Sequence, residues 1–300
     1  MGSGRGCGER AESDGQPQQI TTGDGERSVA LVLSAGRTGT KFLAQYRDAN
    51  YPEVIARHEP KPSRSLRLAS HAHMVGALSR GRLVALLRRK RQRYVDPLRA
   101  PLYVECNPFL AGYADVIPEI WPDPTIIHIV RDPREHVRSS LNHGTASGWK
   151  GLGNRFIPFW YPDVAKILNL EGLGPIGIAA GVWAVMNRHL RDSSRHYRRY
   201  CLLHYEKVFD ANYSGLREIC QLLGLAYREA DAPVSPKQRI NAGRLDVVAH
   251  WRDWPPADCR ELERVCRPLM AEYGYGDEPE WRAKLAAGVA TAGGPRGDEP

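Results

Sequence analysis

Apolar and polar residues follow one another along this chain in blocks that read as strand, turn and helix by turns. Val29 to Leu33 is an unbroken apolar run of strand length, followed by the small and charged residues Ser34 to Gly39 and then by Thr40-Lys41-Phe42-Leu43, which opens a helix. Thr125 to Val130 is a second such run. Continuous apolarity over that length suits a strand covered on both faces, as in the interior of a parallel sheet. Arg131 stands where this run ends, and Pro133 cannot continue a ladder but fits the first turn of a helix, with Asp132 placed to cap it. Ser139 and Ser140 then ride about two turns into that helix. Leu102 to Asn107 reads as another strand, and Val54 to Glu59 leads to a strand end at Pro60. Between Leu83 and Arg99 an apolar turn passes into Arg88, Arg89, Lys90, Arg91 and Arg93. That run is read as the solvated end of an amphipathic helix or as a groove wall for an acidic acceptor. Alternating strand and helix patterns predict an α/β fold: a central, mostly parallel sheet flanked by helices, with Val29–Leu33 next to or near Thr125–Val130.

Composition narrows the class. The chain has 300 residues of which 42% are hydrophobic, ample for one large core. Residues 1–27 and 286–300 are polar, Gly-rich and without apolar periodicity, and are expected to be disordered tails around a single domain at 28–285. No segment has the order of a signal peptide or the length of a membrane span, so a cytoplasmic protein without an integral membrane segment is expected. The six cysteines show no Cys-x-x-Cys spacing and are expected to be reduced thiols. His71 and His73 form a lone pair with no neighbouring acid or thiol motif, and no metal site is expected. A net charge of +8 favours an anionic ligand. Nucleic acid is not expected, because no helix-turn-helix, zinc-finger or RNP-type pattern is present. Nothing in the chain indicates an oligomeric state.

The turn after the first apolar run has the make-up of a phosphate cradle. Small residues at Ser34, Ala35, Gly36 and Gly39 let backbone N–H groups and the positive end of the following helix converge on one anion. Thr38 and Thr40 can add hydroxyls, and Arg37 and Lys41 add charge. A nucleoside-triphosphatase P-loop places Ser or Thr directly after Gly-Lys to hold Mg²⁺, whereas here Gly39 is followed by Thr40, Lys41 and Phe42. The cradle therefore reads as one for a phosphate without Mg²⁺. In the second motif, Arg131 at a strand end and Ser139 on the next helix can close on another phosphate from two sides. Two such sites at one sheet edge describe a nucleotide phosphorylated at both ends.

Ser-Ala-Gly-Arg-Thr-Gly-Thr-Lys-Phe-Leu at 34–43 and Ile-Val-Arg-Asp-Pro-Arg-Glu-His-Val-Arg-Ser-Ser at 129–140 resemble the sulfotransferase family, whose donor is 3′-phosphoadenosine 5′-phosphosulfate. The resemblance spans most of 29–275 and implies the P-loop-like sulfotransferase architecture. It implies that Gly36, Arg37, Thr38, Gly39, Thr40 and Lys41 hold the 5′-phosphosulfate and that Arg131 and Ser139 hold the 3′-phosphate, with no metal. Cys201 to Phe209 looks like the family's later strand ending in Tyr-Glu, which places Tyr205 near the adenine. Arg244 precedes Trp251 at the spacing of a family loop Arg on the 3′-phosphate, and 266–275 resembles the family's closing helix.

Sulfuryl transfer needs a cation on the leaving bridge oxygen and a base on the acceptor hydroxyl. Arg37 is the expected cation, acting only electrostatically because a guanidinium does not give up its proton at neutral pH. Several branches of the family place a Glu shortly after the first helix as base, making Glu59 the first candidate and His58 the second. The bland reading has Glu59 ending a strand with Arg57 as its ion partner. Glu105, where relatives often carry Lys or His, is read as a base, as a partner to a cation or, in preference, as a strand-end carboxylate. Aromatics between Trp149 and Val182 can line an acceptor pocket or belong to the core. The expected acceptor is a hydroxyl-bearing small molecule, lipid or glycan. Two other readings stay open: a P-loop kinase-like phosphotransferase using Lys41 and Asp132, and a non-catalytic nucleotide- or polyanion-binding protein.

Overall fold

A computed structural model describes residues 27–62, 66, 69, 70, 72, 73, 76–142, 173–229, 234 and 248–287. Its contacts divide the chain into two compact units, one of residues 1–131 with 186–242 and one of residues 132–185 with 243–300.

The first unit is built on five parallel strands: β1 (Ser28–Leu33), β2 (Val54–His58), β3 (Leu102–Cys106), β4 (Thr125–Val130) and β5 (Arg199–His204), in the order β2-β3-β1-β4-β5. The expected α/β architecture is therefore present, and the two apolar runs are neighbours in the sheet. β1 is the central strand, covered on both faces, which is why its sequence is a continuous apolar run instead of an alternation. Ala30 and Val32 face one core with Phe42, Leu43 and Tyr46 of helix α1 (Thr40–Asn50). Leu31 and Leu33 face the other with Leu83, Val84 and Leu87 of helix α2 (Arg80–Tyr94).

Strand order places a switch point beside β1. From β1 the chain goes to β2 and returns through β3, then crosses β1 to reach β4 and β5. The connections leaving β1 and β4 thus diverge, and this is where open α/β sheets form a ligand crevice, outside the carboxyl ends of the strands. Register then decides which residues stand level there. Leu33 pairs with His128, and Val130 with His204. Counting on, Arg131 lies beyond the last paired residue of β1, level with the turn, and Tyr205 lies level with Arg131.

The second unit contains helix α3 (Pro133–Asn142), the first part of α4 (Pro175–Ser193), α7 (Pro256–Glu272) and α8 (Pro279–Ala287). Two further helices of the first unit, α5 (Tyr205–Val208) and α6 (Ser214–Leu222), follow β5. As expected from the sequence, Asp132 caps α3, its Oδ1 accepting from the Arg134 N–H at 2.8 Å. Arg134 is buried, with its guanidinium 4.6 Å from the Trp251 ring centre and 5.1 Å from that of Trp281, and ion-paired to Asp132 and Glu278. Asn142 at the end of α3 holds both the N–H and the carbonyl of Val248, at 2.7 and 2.9 Å. Among the described residues, no helix is long and apolar enough to cross a membrane.

Candidate active site

The turn between β1 and α1 is built by left-handed backbone. Gly36 has φ 95°, Arg37 φ 58° and Gly39 φ 71°. Gly39 is required twice over, since a Cβ there would stand 2.6 and 2.7 Å from ring carbons of Phe209. Ser34 organises the turn from inside: its Oγ accepts from the Gly36 N–H at 3.1 Å and from the Thr38 hydroxyl at 2.7 Å. Thr38 is buried, so its hydroxyl serves the turn itself, while Lys41 in the first turn of α1 is exposed. Gly39 caps α1 without a side chain, and no acidic residue stands in the first turn. The N-terminal N–H groups of an 11-residue helix therefore face the crevice with nothing anionic from the helix itself to neutralise them.

Two strand ends meet over this turn. Arg131, after β4, donates from one terminal nitrogen to the Arg37 carbonyl at 2.8 Å. Its guanidinium lies 4.3 Å from the ring centre of Tyr205, which follows β5 and packs on Phe209 at 4.8 Å. The helix α5 begins at Tyr205, so the Tyr-Glu expected at the end of a strand instead starts a short helix, and Phe209 stands one turn further on at i+4. Burial and then the charge of Arg131 push the Arg37 guanidinium below its ordinary range, with Tyr205 acting the other way. Two like charges drawn together in this way make a place where an anion is electrostatically favoured.

Beside the turn, the ends of β2 and β3 are tied together. Glu59, in left-handed backbone at φ 44°, donates its N–H to the Cys106 carbonyl at 3.3 Å. His58 Nδ1 lies 3.1 Å from the same carbonyl, and its Nε2 is 3.6 Å from Glu59 Oε1. A carbonyl only accepts, so Nδ1 carries the hydrogen, and Nε2 is protonated toward Glu59 only in the imidazolium. Arg57, which the bland reading made the partner of Glu59, pairs instead with Asp48 at 2.6 Å. The Glu59 carboxylate is 36% exposed, open enough to meet an acceptor.

Glu105 stands one residue before the end of β3 and is the partner of a cation, one of the readings the sequence left open. Fully buried, it receives the Lys90 ammonium, the Tyr103 hydroxyl at 2.8 Å and the Asn107 amide at 2.8 Å. Lys90 is thus removed from the solvated basic run to which the sequence assigned it. The cause is helical phase: Leu83, Val84 and Leu87 turn inward, and Lys90 shares their side of α2. Asn107 passes the order on, its Oδ1 accepting from the Phe109 N–H at 3.1 Å and its own N–H bonding the Val32 carbonyl at 3.1 Å. Burial pushes the Cys106 thiol up to about 12, which removes it as a nucleophile.

A model described as the sulfotransferase family matches residues 30–229. The chain belongs to the sulfotransferase family. Solved structures similar to this family member include a sulfotransferase domain from the curacin biosynthetic pathway, at 13% identity and TM-score 0.46, covering 88% of this chain and 98% of that one. Another is the sulfotransferase domain of the Synechococcus PCC 7002 olefin synthase, at 16% identity and TM-score 0.42, with 76% and 82% covered. A third is a sulfotransferase from Alicyclobacillus acidocaldarius, at 15% identity and TM-score 0.46, with 86% and 99% covered. No curated protein matches the chain in sequence.

Of the residues this sulfotransferase-family sequence nominated, Gly36, Arg37, Thr38, Gly39, Thr40, Lys41, Arg131 and Tyr205 stand at or just beyond the ends of the adjacent strands β1, β4 and β5, whereas His58 and Glu59 end β2, with β3 between. Ser139 is half-buried on α3 of the second unit. Arg244 and most of the aromatic stretch 149–182 lie outside the described residues. Phe209 and the Lys90–Glu105–Asn107 chain are the parts that sequence reasoning missed. Phe209 had a signal in its i+4 spacing from Tyr205, whereas nothing local links Lys90 to Glu105. Among the described residues, no group of three or more His, Cys, Asp or Glu side chains has the arrangement of a metal site.

Proposed function

We propose that this chain transfers a sulfuryl group from 3′-phosphoadenosine 5′-phosphosulfate to a hydroxyl on a small molecule, lipid or glycan. The observation that carries this reading is the double contact of Arg131. It joins the cradle, through the Arg37 carbonyl, to the ring of Tyr205, the residue that the family likeness puts beside adenine. The residues fit such a donor: glycine backbone at Gly36 and Gly39 permits close approach of a phosphate, α1 presents its N-terminus, and Arg37 and Arg131 supply charge. Ser139 and Arg244 are assigned to the 3′-phosphate on the motif alone. When bound, the donor supplies an activated sulfuryl group on a good leaving phosphate.

The work of the protein's own residues is positioning and electrostatics. Arg37 donates to the bridge oxygen as charge builds there, and Lys41 and the helix N–H groups hold the 5′-phosphate. The acceptor oxygen forms its bond to sulfur as the sulfur–bridge-oxygen bond breaks, and the Glu59 carboxylate takes the acceptor's proton. His58, its Nδ1 fixed by the Cys106 carbonyl, is placed to receive that proton from Glu59 at Nε2. Calorimetry with adenosine 3′,5′-bisphosphate against ATP and ADP, with and without Mg²⁺, tests the reading. Binding of the bisphosphate that is tighter than ATP and indifferent to Mg²⁺ is expected. Preference for Mg²⁺-ATP would overturn it.

A further inference from the structure

The basic run on α2 is sorted by the fold into three sets with different fates. Lys90 turns inward to Glu105. Arg80, Arg88 and Arg91 lie along the flank and are bound locally: Arg80 to Asp115 and Glu119, Arg88 to the Glu119 carbonyl, and Arg91 to Asp96 and the Ile120 carbonyl. Arg82, Arg89 and Arg93 remain, all exposed, with exposed Ala85 between the first two. At 100° per residue these three arginines fall within about 40° of one another on the outward side, spaced roughly 10 Å and 6 Å along the axis. Arg82 and Arg89 make no ion pair among the described residues, and Arg93 lies 5.5 Å over the ring of Tyr94.

Solvation alone does not account for this row. A helix face that serves only to stay wet does so at lower electrostatic cost with alternating signs at i and i+4. α2 contains no acidic residue at all, and Arg89 and Arg93 are a repelling i,i+4 pair. We infer that the outward face of α2 is a docking surface for an acidic polypeptide, engaged through Arg82, Arg89 and Arg93 by carboxylates on a helix of the partner. Charge complementarity and spacing select that occupant, since carboxylates at i, i+7 and i+11 match the row. A lipid surface is disfavoured because Tyr94 is the one exposed large apolar side chain among the described residues, leaving nothing to insert. A nucleic acid is disfavoured because the chain carries no helix-turn-helix, zinc-finger or RNP-type pattern. As the crossover between parallel strands, α2 descends from the carboxyl edge of the sheet, so Arg82 stands at the end of the row nearest the candidate active site. The surface is independent of the donor proposal and is tested without it.

The test uses the full chain and a fluorescein-labelled helical peptide with glutamates at i, i+7 and i+11, read by anisotropy, alongside a single-stranded DNA and phosphatidylserine-containing vesicles. Binding of the peptide at about 20 mM salt is expected, weakening at least about tenfold at about 200 mM as screening shortens. The triple variant Arg82→Glu, Arg89→Glu, Arg93→Glu should weaken it by about tenfold or more, and the milder Arg→Gln triple by less, whereas Arg188→Glu, Arg195→Glu, Arg198→Glu, of equal charge change, should leave it within about twofold. Absence of peptide binding to the native chain, equal losses in the two Glu triples, or tighter binding of DNA or vesicles than of peptide overturns the inference. Unchanged circular dichroism of the Gln triple keeps the comparison valid if the Glu triple fails to fold.

Discussion

Two neighbouring strand ends treat charge in opposite ways. At the end of β3, Glu105 is sealed from water with Lys90, Tyr103 and Asn107 around it, so that every charge is matched. At the end of β1, one strand away, Arg37 stands on left-handed backbone with the Arg131 guanidinium on its carbonyl, and Arg37 shows the electrostatic consequence. The first arrangement is what a scaffold needs, because a buried charge that loses its partner is costly. The second gathers like charge, which raises the local potential in the sense that favours an anion. The balanced end also holds the other in place, since Asn107 bonds the Val32 carbonyl just before the cradle begins.

Breaking the balanced end should have the largest effect. Glu105→Gln leaves the Lys90 ammonium buried without its counter-charge and is expected to lower stability by about 3–5 kcal/mol, seen in urea unfolding; a loss under about 1 kcal/mol would mean that the pair is dispensable. A second scaffold group gives a pH signature. His128 of β4 is buried between Asn187 and Tyr200, and burial lowers its pKa from 6.5 to about 4. The unfolded chain then binds a proton that the folded chain refuses, so stability is full above about pH 6.5 and falls toward pH 4, by up to about 3 kcal/mol. His128→Gln should flatten that acid limb, and an unaltered limb would assign it to other groups.

The charged side chains of the strained end should respond in function and not in stability. Glu59→Gln is expected to lower turnover about 100-fold, measured as release of adenosine 3′,5′-bisphosphate, with bisphosphate affinity preserved. A variant at full speed would move the base to His58. Arg131→Ala should weaken the bisphosphate by about 2–3 kcal/mol in calorimetry while the melting temperature stays within a few degrees. Equal affinity in both proteins would detach Arg131 from the ligand. The smallest effect is expected of Gly39→Ala, about 1–2 kcal/mol in stability from its positive φ and the contact with Phe209; a neutral substitution would show that the ring moves aside.

Local sequence determined much of this protein. Continuous apolar runs made β1 and β4 legible as interior strands, Asp132 and Pro133 announced the start of α3, and the glycines of 34–39 announced a turn that only left-handed backbone can make. These are properties of residues close together in the chain, where steric and hydrogen-bonding preferences act without help. Register and helical phase, decided by packing across the whole sheet, are what set Arg131 beside the Arg37 carbonyl and Tyr205, moved Arg57 from Glu59 to Asp48, and turned Lys90 inward to Glu105. A charged side chain takes whichever partner the fold carries within reach, and that reach spans strands far apart in sequence. The kinds of residue at the site were therefore written in the chain, while their pairing belongs to the tertiary structure.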